Sequence, residues 1–558
     1  MLDDPNSRDG ESGQDGRRFG RRLADFHSDG LGTPHGLYES EAELLEAALT
    51  GQKCVFSDGR PEAPTDGNRV RPGFLRFLAL GGDENAPVHE KGVHLSGAFI
   101  EGALDLDYAD SVKPLALTRC WIDGGISARN AQFVDLTLDG SRCEGAVFDD
   151  AKFAGNVLIQ NDFLSQGGLR FTGAEIAGDF YMSGAVLTNP AGDALACRRL
   201  KVYRGVFLTD GFVANGKVRF SGAEIGGDFH AYGGSFIQPN AAKLIDPNDY
   251  PYMDDALTLA NATIKGILWL APWVPPYDQQ VDIRGSLNLQ GAQVTTLLDH
   301  ELSWPLRTAE TPHGNLPCLI QLDGFVYERL GGPAPIDAGK RKKWLLQQTA
   351  RGKHGVFRPQ PFEQLIKVLR SMGHDHEARR IGLLKESLIH PLNIHATSAW
   401  SRPFALLTDH LYGFFTGYGY RPHRLAVTIL LMWISSAWFF SIAERQGAFA
   451  PREAEIWTNE RLMTACGTER WTACSDVFDL IPFNAASYAA DTIIPIIDLQ
   501  QRSSWTPMLK KIEITIPYFG QKTLPSGTLL VVTWCVNIFG ALAVILLGAI
   551  ASGLVKKD

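Results

Sequence analysis

Two nested repeats govern what this chain can fold into. "FTGAEIAGDF", beginning at Phe171, returns as "FSGAEIGGDF", beginning at Phe220, with two of ten places changed. The template is apolar at its first, sixth and tenth places and has glycine at its eighth. It also fits the segments that begin at Leu95, Leu117 and Leu259. Looser copies begin at Leu138, Cys197, Leu289 and Leu322, and adjacent clear copies lie 21 to 26 residues apart. A finer period runs inside the coarse one: Phe133, Leu138, Cys143, Phe148, Phe153, Leu158 and Phe163 follow one another every five residues. Five matches neither the roughly 3.6-residue turn of a helix nor the roughly two-residue alternation of a strand. No straight element buries all seven together, whereas a backbone that turns a corner every five residues does.

Alanines at 131, 146 and 151 stand two places before Phe133, Phe148 and Phe153. In this the chain resembles the pentapeptide-repeat family, whose mark is a small residue two places before a central Leu or Phe. The resemblance implies a mainly β fold, a right-handed quadrilateral β-helix in which four five-residue faces close one coil and the central residue fills the interior. Stacked at about 4.8 Å, roughly ten coils would make a rod of about 45 to 50 Å. The solenoid is expected over 93–330.

Flanking segments read differently. Residues 1–36, rich in Gly, Asp, Arg and Ser, bury too little to offset ordering entropy and are expected to be a disordered tail. Over 37–92 a helical cap is expected, with Leu44, Leu45, Ala48 and Leu49 at helical spacing, Gly51 as its stop and a second helix in "RPGFLRFLALGG". Beyond Leu330 the repeat ends. Phe362, Leu365, Ile366 and Leu369, then Ala378, Ile381 and Leu384, predict two helices around Gly373. Residues 335–424 carry 15 Lys or Arg against 6 Asp or Glu in a chain of net charge -9, so they form a basic collar and interfacial helix. Lys340, Arg341, Lys342, Lys343, Arg421 and Arg424 are its candidate lipid-facing cations, drawn to anionic headgroups.

Two uncharged stretches, 425–443 and 528–555, exceed the length at which a spanning helix is the default reading. Arg421 and Arg424 precede the first, and Lys556 and Lys557 follow the second. The positive-inside rule then places both termini in the cytosol and the loop 444–526 outside. The expected location is a bacterial inner membrane. "TGYGY", from Thr416, looks like a potassium filter but precedes the first span, so it is read as a bend at headgroup level. The segment 478–500 does occupy the pore-loop position as a candidate re-entrant segment. Asp479, Asp491 and Asp498 are candidate carboxylate rings beside Thr492. Asn537, Gly548 and Ser552 in the second span are candidate oligomer contacts, an amide and small residues suited to close helix packing.

The search for chemistry is negative. The sequence has no glycine-rich nucleotide loop, no His-Glu-x-x-His and no Gly-x-Ser-x-Gly, and neither catalytic residues, metal ligands nor a cofactor are assigned. The acids of Glu175 with Asp179 and Glu224 with Asp228 recur with the coil, which marks them as corner residues. His374 and His376 read as solvated turn residues. Cys466 and Cys474, in the outer loop, are a candidate disulfide. The other cysteines read mostly as small core residues. A net charge of -9 argues against a nucleic-acid partner.

Taken together, the cap, the "GA-x-I-x-G" coils, the helical hairpin and the two C-terminal spans resemble a group of bacterial membrane proteins often labelled membrane-associated oxidoreductases. These residues carry nothing that supports an oxidoreductase. The expected function is a non-enzymatic, membrane-anchored cytoplasmic solenoid, oligomeric and channel-like or signal-transducing. Its expected partners are the lipid bilayer, further copies of itself and a cytosolic protein or small ligand on the solenoid. A passive membrane scaffold is the alternative, and an oxidoreductase a further one.

Overall fold

The computed structural model describes residues 22–29, 36–110, 112–238, 255–272, 280–305, 320–348, 357–395, 406, 413, 422–453, 464, 470–473, 481–494, 496, 498–516 and 520–551. They divide into two compact units, residues 1–382 and 383–558.

The first unit is built on two sheets of 16 strands, most of them two residues long, in which every pairing is parallel. One register row runs from Val93 through Leu115, Leu136, Val157 and Phe180 to Val206, in steps that match the spacing of the sequence copies. Parallel neighbours superpose equivalent residues, so like side chains stack at the strand spacing of about 4.8 Å. Inside, Phe133 lies over Phe153 at 4.8 Å and Phe148 over Phe171 at 4.7 Å, both pairs stacked.

The template is explained place by place. Its first and sixth residues are interior: Leu95, Leu117, Phe171, Phe220 and Leu259 are fully buried, and so are Ile100 and Ile176. The third place, to which the sequence pattern assigned nothing, has left-handed backbone in all nine copies. It is Gly97, Arg119, Gly140, Gly173, Arg199, Gly222, Asn261, Gly291 and Gly324, with φ between 51° and 72° in eight of them and 74° at Gly324. Left-handed backbone turns the chain sharply, which a corner requires.

At two of the eighth places, Gly178 and Gly266, and likewise at Gly155, the neighbouring strand explains the glycine. Asp135 Oδ1 accepts from Asn156 N at 2.8 Å, Asn156 Oδ1 from Asp179 N at 2.9 Å, Asp179 Oδ1 from Gly205 N at 2.8 Å and Asp228 Oδ1 from Ile267 N at 2.7 Å. Each acid or amide thus ties its strand to the next. A Cβ on Gly155, Gly178 or Gly266 would meet one of these oxygens well inside 3.0 Å. Gly155→Ala is therefore expected to cost about 1–3 kcal/mol by overpacking. Asp135→Ala orphans the Asn156 N–H at a similar cost. Because the three atoms nearest to a Cβ at Gly155 all belong to the Asp135 side chain, the double variant should cost little more than Asp135→Ala alone. Denaturant unfolding of the four proteins measures that non-additivity.

The five-residue series holds with one slip. Phe133, Leu138, Cys143, Phe148, Phe153 and Phe163 are buried, but Leu158 is only half-buried while Val157 and Ile159 on either side are fully buried. Leu158 stands on the outer face, where its register row continues through Tyr181, Phe207, His230 and Trp269. Alternation within the short strand decides the direction, and the five-residue count is displaced there by one.

Both ends of the sheet unit are closed by helix. At the N-terminal end Glu39–Thr50 stops at Gly51, which has φ 69°, and Pro72–Ala79 buries Phe74, Leu75, Phe77 and Leu78. Part of the segment expected to be disordered is ordered: Leu23–Asp29 forms a 3-10 helix whose Phe26 is fully buried edge-on to Phe74 at 5.3 Å. Phe26 also packs on Phe77, and Leu23 N donates to Asp83 Oδ2 at 2.9 Å, so a ring and a hydrogen bond together tie this polar stretch to the cap.

At the C-terminal end Gln360–Ser371 lies against the last strand, Val326–Leu330. Gln360 Oε1 accepts from Gly324 N, Gln360 Nε2 donates to Phe325 O and Gln364 Nε2 to Tyr327 O. Side-chain amides thus satisfy backbone groups that an open sheet edge would expose. Phe362, Leu365, Ile366 and Leu369 are buried as expected, and Gly373, with φ 83°, separates this helix from Asp375–His395.

Arg341 corrects the reading of the collar. It is not lipid-facing but fully buried, donating 2.8 and 2.7 Å hydrogen bonds from both terminal nitrogens to the carboxylate of Asp299 and from Nε to Pro335 O. Lys340 is tied to Glu301 at 2.9 Å, whereas Lys342 and Lys343 are exposed. In the helix Ala338–Leu346, Arg341 falls on the face shared with Trp344 and Leu345, and position on the helix outweighed charge.

Candidate functional site

The second unit contains two helices long and apolar enough to cross a membrane, His423–Arg445 and Thr528–Gly548. Their apolar side chains Leu430, Leu431, Ile434, Ile538, Leu542 and Ile545 are exposed. Between them in sequence lies a short helix, Ala485–Ile493.

Local chemistry explains this helix. Asn484 caps it, its Oδ1 accepting from Ser487 N at 3.0 Å. Pro495 follows, and the residue before a proline is disfavoured in helical conformation; Ile494 accordingly leaves the helix at φ -110° and ψ 87°. Three tethers hold the entry and exit. Gln501 accepts from Asn484 N and donates to Pro482 O, and Trp505 Nε1 donates to Ile481 O at 2.9 Å.

The helix is seated at the midpoints of both long helices. Trp433, halfway along Pro422–Arg445, donates its indole N–H to Ala486 O at 2.9 Å. Gly540, halfway along Thr528–Ala551, faces the backbone of Ile493 so closely that a Cβ there would fall well inside 3.0 Å of its O, C and Cα. Tyr488 meets Phe440 edge-on at 5.1 Å and packs on Phe449 at 5.1 Å; Phe483 and Trp505 complete the cluster. Two small antiparallel sheets close it off, Phe449–Pro451 with Trp505–Pro507 and Ile512–Ile516 with Gly520–Leu524.

The candidate residues separate into different roles. Asp491 is 5% exposed and its Oδ2 accepts from Arg502 N at 2.9 Å, so it fastens the chain leaving the helix and cannot form a carboxylate ring facing water. Thr492 is fully buried and donates back to Tyr488 O at 2.7 Å. Asp498 is exposed and caps a local turn by accepting from Gln500 N. Asn537 is half-buried, and Gly548 is open, with nothing within 4 Å of an added Cβ. Arg424 is exposed at the start of the first long helix. Asp479, Arg421, Ser552, Cys466 and Cys474 lie outside the described residues, as does "TGYGY". Sequence reasoning missed Gly540 and Trp433, the two residues that seat the short helix; a glycine inside an otherwise unbroken apolar run was the available signal.

Among the described residues no group of His, Cys, Asp and Glu could hold a metal ion. Cys54, Cys120, Cys143 and Cys197 are free and buried, and burial pushes the Cys120 thiol up to about 12 and the Cys143 thiol up to about 11, away from the reactive thiolate. Glu175 and Asp179 lie near Lys201 and Arg204 as surface ion pairs. Comparison of the chain with family models, with curated proteins and with solved structures returns no match.

Proposed function

We propose that the chain is a non-enzymatic protein of a bacterial inner membrane, in which a cytoplasmic β-solenoid is joined to an oligomeric, channel-like module. The solenoid reading takes the parallel sheets as faces of a right-handed quadrilateral β-helix. It is supported by partners one sequence copy apart, by the left-handed corner at each third place and by the stacked interior rings. Its exterior is the surface offered to a cytosolic partner or small ligand. Exposed Lys342, Lys343 and Arg424 suit contact with anionic headgroups.

The observation that carries the channel-like reading is the short helix held halfway along both long helices. A nine-residue helix cannot cross a bilayer, and non-helical backbone such as that at Ile494 is tolerated at that depth only where it is buried in protein or lines a water-filled cavity. Two spans do not enclose water alone, so a pore requires several copies. With Asp491 internally bonded, Asp498, which is exposed, is the described carboxylate left for such a ring.

Purified protein in planar bilayers is expected to give discrete current steps. Silence across lipid compositions, voltages and added cell lysate would replace this reading with that of a passive scaffold.

A further inference from the structure

The geometry points to a docking seam for a second copy of the chain along Thr528–Ala551, formed by Asn537, Ala541, Val544 and Gly548. This rests on the reading of the two long helices as membrane spans. One face of the helix is already used, since Leu529, Val536 and Ala543 are buried against their own unit and Gly540 receives Ile493. Beside that face stands Asn537, half-buried, with no hydrogen-bond partner among the described residues.

Three hydroxyls of these helices bond within their own helix. The hydroxyls of Thr428, Ser435 and Thr533 donate back to the carbonyls of Arg424, Met432 and Leu529. A carboxamide brings two N–H donors and an acceptor, more than its own turn can absorb. In hydrocarbon nothing else pairs with it, so an unpaired amide there is costly.

The surroundings of Asn537 say what pairs with it. Asn537, Ala541, Val544 and Gly548 are spaced four, three and four residues apart, the 3.5-residue period at which two helices keep one seam in contact. Gly548 is open and Ala541 is small, so a second backbone can approach closely. Copies of one chain inserted the same way run parallel, which brings Asn537 to the same depth in each. A carboxamide is self-complementary, donor to acceptor, and needs no other partner. Ile538, Leu542 and Ile545 lie off the seam and remain exposed to lipid.

Cysteine cross-linking in native membranes tests this, with Cys535 first replaced by alanine. Asn537→Cys and Gly548→Cys are expected to give covalent pairs on oxidation, and Leu542→Cys is not. Asn537→Leu, which keeps the helix apolar, is expected to weaken self-association about three- to thirtyfold in detergent titrations. Pairs forming at Leu542 in preference to Asn537, or unchanged association of Asn537→Leu, would overturn the seam. Carbonate extraction separates the two readings. Protein released from the membrane defeats the spanning assignment itself, whereas protein retained without Asn537 cross-links defeats only the seam.

Discussion

Arg341→Ala is expected to destabilise the sheet unit by about 3–5 kcal/mol. The loss follows from what is left behind. Asp299 is 2% exposed and accepts from Trp304 Nε1 at 2.9 Å as well as from the guanidinium, so removing Arg341 strands a buried carboxylate with one neutral donor. Arg341→Lys recovers little, since an ammonium cannot make the forked pair to Asp299 while also donating to Pro335 O. The double variant Arg341→Met with Asp299→Leu is expected to regain most of the stability, because an apolar pair replaces both charges. Its shortfall is the Trp304 N–H, orphaned at about 1–3 kcal/mol. Lys342→Ala and Lys343→Ala, on the exposed side of the same helix, should stay within about 0.5 kcal/mol. Denaturant unfolding of the full-length protein in detergent distinguishes these outcomes. Equal effects at positions 341 and 342 would mean that the buried pair does not hold the C-terminal cap.

Gly540→Leu is expected to unseat the short helix and abolish any conductance. The obstruction is backbone, the O, C and Cα of Ile493, which cannot rotate aside as a side chain would. Overpacking of this kind costs about 3 kcal/mol, enough to favour a displaced helix over a strained one. The displacement has a readout that does not depend on current. Trp433, Trp471 and Trp505 belong to or pack on the cluster that includes Tyr488 and Phe449, so their emission should shift to the red in Gly540→Leu. Ile545→Ala, on the exposed side of the same helix, should leave both current and emission unchanged. Loss of current without any change of emission would show that Gly540 acts otherwise than as the seat of Ile493.

The sheet unit was legible because its pattern is repeated. Any single copy of the template is ambiguous, but the near-identity of the segments at Phe171 and Phe220 reveals which places matter, and those places are interior. The third place escaped notice because Gly, Arg and Asn share no side-chain property; only their backbone is common, and sequence records backbone angle indirectly. The slip at Leu158 escaped for a related reason. An apolar residue suits the outside of a strand when the next strand offers Tyr181 beside it, and no count of fives registers a neighbour 23 residues on.

Charge misled where burial was undetermined. "KRKK" reads as four equivalent cations, yet one is sealed inside, one is paired at the surface and two are exposed. Helical phase separates them, and the partner Asp299 lies 42 residues away in sequence. Asp491 repeats the lesson. Its position between two apolar runs suggested an aqueous role, but the N–H of Arg502 lies close enough to occupy it.

By itself the sequence determined the local quantities: the period of the interior residues, the two apolar lengths and the helix stop at Gly51. Each depends on neighbours within a few residues or on exact repetition, so no distant contact was needed to read it. Tertiary structure alone decided which arginine is buried, which acid is internal and where along the long helices the short one is seated. Those are pairings between residues far apart in the chain, selected by the cost of leaving a charge, an amide or a backbone group without a partner, and that cost exists only once the chain has closed around them.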